Sequence, residues 1–245
     1  MSMEERNPGP DLCHSELNVE GEDRNHPYFC TNVVLMVEGR LFQLPRILFE
    51  GQSSLFKVMF LLPPPSSNLG NEEGGSVSNP IRLDGIKRAE FESFLRVLFP
   101  LDPLILRSHA DMTKYDWLSA LKLATMWEFD SVRQVAINYL NQLPLGDIER
   151  VVILNDFDIN EWKVAAYTEL VTRSESLSAE DADALGLQLT AKFSAARESF
   201  LRAGNTQEPE RAARAALRQN FGDEVPPYEP GPPKPHFRRS RRMYG

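Results

Sequence analysis

The side chains that could hold a metal ion or transfer a proton are few in this chain of 245 residues. The cysteines and histidines are Cys13, Cys30, His14, His26, His109 and His236. Cys13 and His14 are adjacent, and two adjacent residues cannot complete the four ligands of a zinc site. Two cysteines are also too few for a disulfide framework. We therefore expect no metal site and no cofactor.

Nucleophilic catalysis requires a serine, threonine or cysteine with a base within hydrogen-bond reach. No serine or cysteine of this chain has a credible base near it in the sequence. The sequence also lacks the HExxH motif of zinc proteases, the GxSxG motif of hydrolases and the glycine-rich loops that bind nucleotides. We therefore expect no catalytic residue and predict that the chain is not an enzyme.

Asp156-x-Asp158-x-Asn160 resembles the beginning of a calcium-binding EF-hand loop. Such a loop requires glycine at its sixth position and glutamate at its twelfth. This chain has Glu161 and Tyr167 there, so the match fails. Asp158 and Asn160 are better interpreted as residues that begin a helix.

The charge of the chain is unevenly distributed. The net charge of -8 disfavours contact with DNA or an anionic membrane. Residues 234–245, however, contain five basic side chains and no acid. A nuclear-import signal or a weak nucleic-acid contact is one interpretation of the arginines in this segment, Arg238, Arg239, Arg241 and Arg242. A solvated segment without function has the same composition, so both interpretations stay open.

The hydropathy pattern indicates where the protein resides. Residues 1–12 lack the apolar stretch of a signal peptide. The longest purely apolar runs are about five residues, whereas a membrane-spanning helix needs ~20. Because only two cysteines are present, we expect the reducing cytoplasm, the nucleus or both, and no membrane contact.

The elements that would position any functional residue begin with a hairpin. Residues 33–37 are a valine-rich strand, and residues 40–44 form the returning strand. Glu38 and Gly39 make the two-residue turn, in which glycine supplies a positive φ. Residues 81–83 predict a third, short strand.

Helices are predicted after the hairpin and again after the third strand. Residues 47–50 predict a short helix, and Ser53 a cap for the next one, with Leu55, Phe56, Met59 and Phe60 on its core face. Later helices are predicted around the apolar stripes of residues 91–98, 117–124, 132–143, 148–152, 162–170 and 189–200. Caps for these helices are predicted at Thr113 with Asp116, Asp130, Asn160 and Ser178 with Asp181, and Gly186 as a C-cap. Because the strands cluster early and do not alternate with helices, the fold class is α+β.

Composition divides the chain into four parts. Residues 1–26 are acidic and polar and predict a disordered head. Residues 27–143 form one domain, interrupted by a Pro-, Ser- and Gly-rich stretch, 63–80, which we interpret as a flexible surface loop. Residues 144–203 predict a helical extension. Residues 204–245 predict a mostly disordered tail that is rich in proline and then basic, with room for one Ala-rich helix near residues 211–218.

The ordered set of elements resembles a BTB/POZ domain, a small sheet with a hairpin packed by helices, here followed by an α-helical extension. The stretches that carry the resemblance are VVLMVEGRLFQLPR (33–46), ILFEGQSSLFKVMF (47–60), IRLDGIKRAEFESFLRVLFP (81–100) and DWLSALKLATMWEFDSVRQVAINYL (116–140). The PRxLFE and KLATMWEF versions are similar to a subset abundant in fungi. The chain departs from the family pattern with Asn32, Leu35 and Pro45.

The resemblance implies a protein-interaction module. BTB domains self-associate, commonly as homodimers, and many recruit cullin-3 as substrate adaptors of a ubiquitin ligase. The apolar and loop residues expected to contact a protein partner are Leu48, Met59, Phe60, Phe99, Leu101 and Asp102. The alternative is a nuclear, transcription-associated BTB factor that uses the arginine cluster for import or a weak nucleic-acid contact.

Overall fold

A computed structural model of the chain describes residues 30–62, 73–100, 109, 111–204 and 208–228. These residues form a mixed α+β fold that is mostly helical and contains one small sheet. The strands are β1 (Asn32–Val37), β2 (Arg40–Pro45) and β3 (Ile81–Arg82). The helices that surround the sheet are α1 (Arg46–Glu50), α2 (Ser54–Leu61), α3 (Arg88–Leu98), α4 (Lys114–Met126) and α5 (Asp130–Gln142). The helices that follow are α6 (Asp147–Asp156), α7 (Asn160–Thr172), α8 (Ala179–Arg202) and α9 (Pro209–Phe221).

The predicted hairpin is confirmed. β1 lies in the centre of the sheet, antiparallel to β2 and parallel to β3. Glu38 and Gly39 join β1 to β2 with φ values of 47° and 76°, the two positive values that a tight primed turn requires. The alternate residues Val33, Leu35 and Val37 are buried, so one face of β1 points into the core.

The end of the predicted loop, residues 73–80, is hydrogen-bonded to the sheet. The Val34 N–H donates to the Gly74 carbonyl at 2.8 Å, and the Gly74 N–H donates to the Asn79 carbonyl at 2.7 Å. A Cβ on Gly74 would lie 2.7 Å from the Ile81 Cδ1, so only glycine fits this approach. Gly74 is therefore hydrogen-bonded to the central strand β1, whereas residues 63–72 of the predicted loop lie outside the described residues.

Aromatic rings fill the core between the sheet and helices α1 to α5. The Phe56 ring lies 5.0 Å from the Phe49 ring and 5.7 Å from Trp127, centroid to centroid. Phe94 lies 5.0 Å from Phe129 in an edge-to-face contact. Such contacts contribute about 0.5–1.5 kcal/mol each beyond the burial of their area. This core holds α1 and α2 against the turn between α4 and α5.

A second core lies under helices α6 to α9 and is shared with α4 and α5. Trp117 and Leu121 of α4 face this core, whereas Leu123 and Ala124 of the same helix face the first. The helical extension is therefore joined to the preceding domain by common helices. The extension also continues past the predicted end at residue 203, because α9 buries Leu217 against it. α9 contains residues 211–218, the stretch for which the sequence predicts room for one Ala-rich helix.

The helix caps show which predictions follow from local chemistry. The caps at Ser53, Thr113 and Ser178 are confirmed, since each side-chain oxygen accepts a backbone N–H from the first turn. Asp130 and Asn160 are instead the first helical residues, and the cap positions hold the buried side chains of Phe129 and Ile159. Gly186 interrupts the helical geometry inside α8 with a φ of 75°.

The same turn geometry precedes both helices whose caps were predicted at the wrong residue. Glu128 and Asp158 have φ values of 58° and 49°, and the next residue donates its N–H to a carbonyl five positions back. This is the Schellman arrangement, in which a residue with positive φ ends a helix and an apolar residue follows it into the core. Because Phe129 and Ile159 occupy the cap positions, each following helix begins one residue earlier than a polar cap at Asp130 or Asn160 would set it.

Candidate functional site

Helix α2 is apolar on almost every side. Six of its eight residues, SLFKVMFL, are apolar, yet Phe56 is its one fully buried residue. A helix that is apolar all round is normally covered on all sides by other elements. Here one side is exposed to solvent, and we call it the uncovered α2 face: Leu55 (48% exposed), Val58 (58%), Leu61 (73%) and Leu62 (66%).

The four residues of the uncovered α2 face form one stripe. Leu55, Val58 and Leu62 follow one another at intervals of three and four residues, which places them on the same side of a helix. Leu61 lies one turn beyond Val58. None of the four carries a charge, and Ile47 of the neighbouring helix α1 adds another exposed apolar side chain, 54% exposed. Contiguous exposed apolar side chains of this kind are uncommon on the surface of a monomeric protein.

The beginning of α2 is held in place by the turn between α4 and α5. The Ser53 Oγ accepts the Phe56 N–H at 3.1 Å and donates to the Trp127 carbonyl at 2.6 Å. Next to it, the Ser54 hydroxyl donates to the Glu128 carboxylate. Ser53 is 2% exposed, so its two hydrogen bonds are protected from water. The orientation of the helix is therefore fixed from 74 residues away in the sequence.

The end of α2 is held by an arginine of α1. The Arg46 Nη2 donates to the Phe60 carbonyl at 3.0 Å, and its guanidinium lies 4.5 Å from the Phe60 ring centroid. The Arg46 Nε also pairs with Glu50 at 2.6 Å. One of the last carbonyls of the helix is thus satisfied by a side chain. With both ends anchored, the uncovered α2 face is preorganised for contact, which reduces the entropy lost on binding.

The structure places the predicted partner-binding residues in two regions. Leu48 of α1 and Met59 and Phe60 of α2 are half-buried and pack against the first core. Phe99, 37% exposed, follows the last residue of α3. The remaining predicted residues, Leu101, Asp102, Arg238, Arg239, Arg241 and Arg242, lie outside the described residues.

The exposed side chains of α2 were not predicted from the sequence. Leu55 was assigned to the core face, whereas that side chain is about half exposed. Val58, Leu61 and Leu62 were assigned to neither face. The signal was present in the apolar run of residues 58–62, which leaves Ser54 and Lys57 as the two polar residues of the helix.

The inventory of reactive groups in the described residues is short. They contain no cluster of three or more His, Cys, Asp or Glu side chains that could hold a metal ion. None of them forms a helix long and apolar enough to cross a membrane. His109 packs edge-on to Trp117 at 5.3 Å and to Tyr139 at 5.5 Å, and its Nε2 is buried without a hydrogen bond.

Comparison with known proteins assigns no family to this chain. The sequence matches no family model, and no curated protein is significantly similar to it. A function must therefore be argued from the residues and geometry described above.

Proposed function

We propose that this chain is a protein-interaction module of the BTB/POZ type that self-associates through the uncovered α2 face. The observation that carries the proposal is an anchored helix whose apolar stripe is exposed to solvent. The order of elements supports the BTB/POZ assignment: a hairpin, two short helices, a third strand parallel to the first, and three further helices.

A second copy of the chain is a suitable partner for this surface. A two-fold dimer brings the same patch of each copy together, so the patch must complement itself. An uncharged apolar stripe meets this condition without placing like charges opposite each other, although the chain as a whole carries a net charge of -8. Covering the four side chains on both copies contributes on the order of 10 kcal/mol, against roughly 4–15 kcal/mol lost on association. We therefore expect a reversible dimer.

The self-association is tested with a double variant, Val58→Asp with Leu61→Asp, in the full chain. We expect the natural protein to elute as a dimer in size-exclusion chromatography with light scattering, and the variant as a monomer. Circular dichroism of the variant should be unchanged, because both side chains are already exposed. Leu187→Asp is the matched control, since Leu187 is 86% exposed on α8 and should leave the dimer intact. A natural protein that stays monomeric, or an unaffected double variant, would refute this function.

A cullin-3 adaptor role is a second candidate function. The helical pair α6–α7, directly behind α5, favours it, because such a pair follows the BTB domain in the cullin-3 adaptors that the chain resembles. Titration calorimetry of the full chain with a cullin-3 N-terminal fragment tests it. We expect binding in the micromolar range, weakened by Phe99→Lys and unchanged by Leu187→Asp. Absence of binding heat would rule out the adaptor role and leave self-association unaffected.

A further inference from the structure

A groove of about 840 Å³ lies on the side of the molecule where α3 and α4 meet α6 and the beginning of α8. Its volume falls in the range of ligand-binding clefts. The floor is apolar and half-buried, formed by Leu118, Ile148, Val152 and Phe157. None of the α2 residues lines it, so the groove is distinct from the uncovered α2 face.

The rim of the groove is rich in carboxylates, Glu90, Asp147, Glu149, Asp156 and Asp181. Lys122 is the one cation among the lining residues and pairs with Glu90 at 2.8 Å. From outside the lining, Lys114 pairs with Glu149 at 2.6 Å, and Arg173 pairs with Asp147 and Asp181. Five carboxylates therefore face three cations, and the rim keeps a net negative charge.

Asp156 contributes half of that unbalanced charge, and the other half arises because Asp147 and Asp181 share Arg173. The Asp156 side chain is exposed at the end of α6, and it makes no ion pair within the part of the chain that the structure describes. Arg133 hydrogen-bonds the residues that follow Asp156, but through the carbonyls of Phe157 and Asp158. An apolar floor beside an unpaired carboxylate suits a peptide that carries both an aromatic side chain and arginines.

The chain contains such a peptide. Residues 234–245, KPHFRRSRRMYG, carry five basic side chains, no acid, and the apolar residues Phe237, Met243 and Tyr244. We propose that residues 234–245 bind in this groove of the same molecule, with the arginines on the rim carboxylates and an aromatic side chain on the apolar floor. The remaining 233 residues carry 22 basic and 35 acidic side chains, so the basic residues are set apart from an acidic body.

The connection is long enough for binding within one molecule. Residue 238 follows Tyr228, the last described residue, by ten positions, which corresponds to about 33 Å of extended chain. A folded unit of roughly 200 residues has a radius of gyration of about 16 Å, and α9, which precedes Tyr228, packs on α8, whose beginning lines the groove. A short tether also raises the local concentration of the segment to roughly the millimolar range, so weak contacts suffice.

Disulfide cross-linking in the full chain tests the proposal. In a background with Cys13→Ser and Cys30→Ser, the pair Ser119→Cys and Ser240→Cys places one thiol in the groove lining and one among the arginines. Mild oxidation should give an internal disulfide, seen as a faster-migrating monomer on a non-reducing gel. The control pair is Ser194→Cys with Ser240→Cys, because Ser194 lies on α8 beyond the interruption at Gly186 and does not line the groove.

Charge variants identify the contact. Adding Asp156→Lys, or replacing the four arginines of residues 238–242 by serine, should slow the internal disulfide about three- to tenfold. Equal cross-linking in the control pair, a disulfide found between two molecules, or no effect of either charge variant would overturn the proposal. Asp156→Lys leaves α2 untouched, so this result is independent of the self-association test.

Discussion

The burial of helices α2 and α9 is the opposite of what their compositions would suggest. α2 is largely apolar and buries one residue, whereas α9, PERAARAALRQNF, is rich in arginine and buries four: Ala213, Ala216, Leu217 and Phe221. Apolar content therefore does not decide which of the two helices is covered. The surface that the neighbouring elements offer decides it, and α2 keeps an apolar side for which the described residues provide no cover.

The burial of α9 depends on small residues and one ring. Alanines at positions 213 and 216 let the helix approach its neighbours closely, because they add little bulk. The Phe221 ring then lies 4.9 Å from both Tyr167 and Phe193. Lys192 covers the outer side of that ring at 5.1 Å. A helix of modest hydrophobicity is thus part of the second core.

The largest effect is expected where α9 joins this core. Phe221→Ala should lower the free energy of unfolding by about 3–5 kcal/mol, because it leaves a cavity between two aromatic rings. Chemical denaturation measures the change. Leu201→Ala is the control, since that side chain is 69% exposed and should cost less than about 0.5 kcal/mol. Equal effects of the two variants would show that α9 is not part of the core.

A smaller effect is expected where α2 is anchored. Ser53→Ala removes the helix cap and leaves the buried Trp127 carbonyl without its donor, which should cost about 1–3 kcal/mol. Ser54→Ala is the matched control, because its hydroxyl and Glu128 are exposed. The same denaturation series checks both variants, and the Ser53 variant should also self-associate more weakly. A neutral Ser53→Ala would mean that the uncovered α2 face is not held from the α4–α5 turn.

Lowering the pH should reduce the stability that the ion pairs at the beginning of α8 contribute. The backbone hydrogen bond from Ser178 and the side-chain bond from Arg173 lower the pKa of Asp181. A carboxylate with a lowered pKa contributes stability above its ordinary pKa of about 4, and that contribution is lost as pH falls through the lowered value. Thermal unfolding between about pH 5 and pH 3 should therefore show a shallower pH dependence in Asp181→Asn than in the natural protein. An identical slope in both would contradict the assignment.

The smallest effect on stability is expected on the uncovered α2 face itself. Leu61→Ser should change the unfolding free energy of the dilute monomer by less than about 0.5 kcal/mol, because the side chain is already 73% exposed. It should nevertheless weaken self-association, which sedimentation equilibrium measures. A loss of monomer stability comparable to that of Phe221→Ala would show that Leu61 belongs to the core of a single chain.

Local chemistry made most of the fold predictable. The Glu38-Gly39 turn and the caps at Thr113 and Ser178 depend on residues within a few positions of each other, and all are confirmed. A helix was predicted near residues 211–218, but its burial was not, because that burial depends on α7 and α8, which lie beside it in space. Turns and caps can be predicted from a few neighbouring residues, whereas the burial of a helix depends on elements that are distant in the sequence.

The candidate site was predicted only in part, because it too depends on elements that are distant in the sequence. Helical spacing placed Met59 and Phe60 on α2, where both pack partly buried against the first core. It did not identify Val58 and Leu61 as the exposed members, because both sides of α2 are apolar and the pattern alone cannot tell which one faces the sheet. The anchors at Trp127 and Arg46 make that choice, and neither is adjacent to α2 in sequence.

The bond between Ser53 and Trp127 has a consequence for synthesis on the ribosome. The two residues are 74 positions apart, so α2 leaves the exit tunnel long before its anchor is made. At about 5–20 residues per second, this interval lasts roughly 4–15 seconds. During that time the whole of α2, including Phe56, is exposed as a nascent apolar segment. We therefore expect the newly made chain to require a chaperone at this stage, and variants that delay closure of the α4–α5 turn to aggregate during translation while remaining stable once folded.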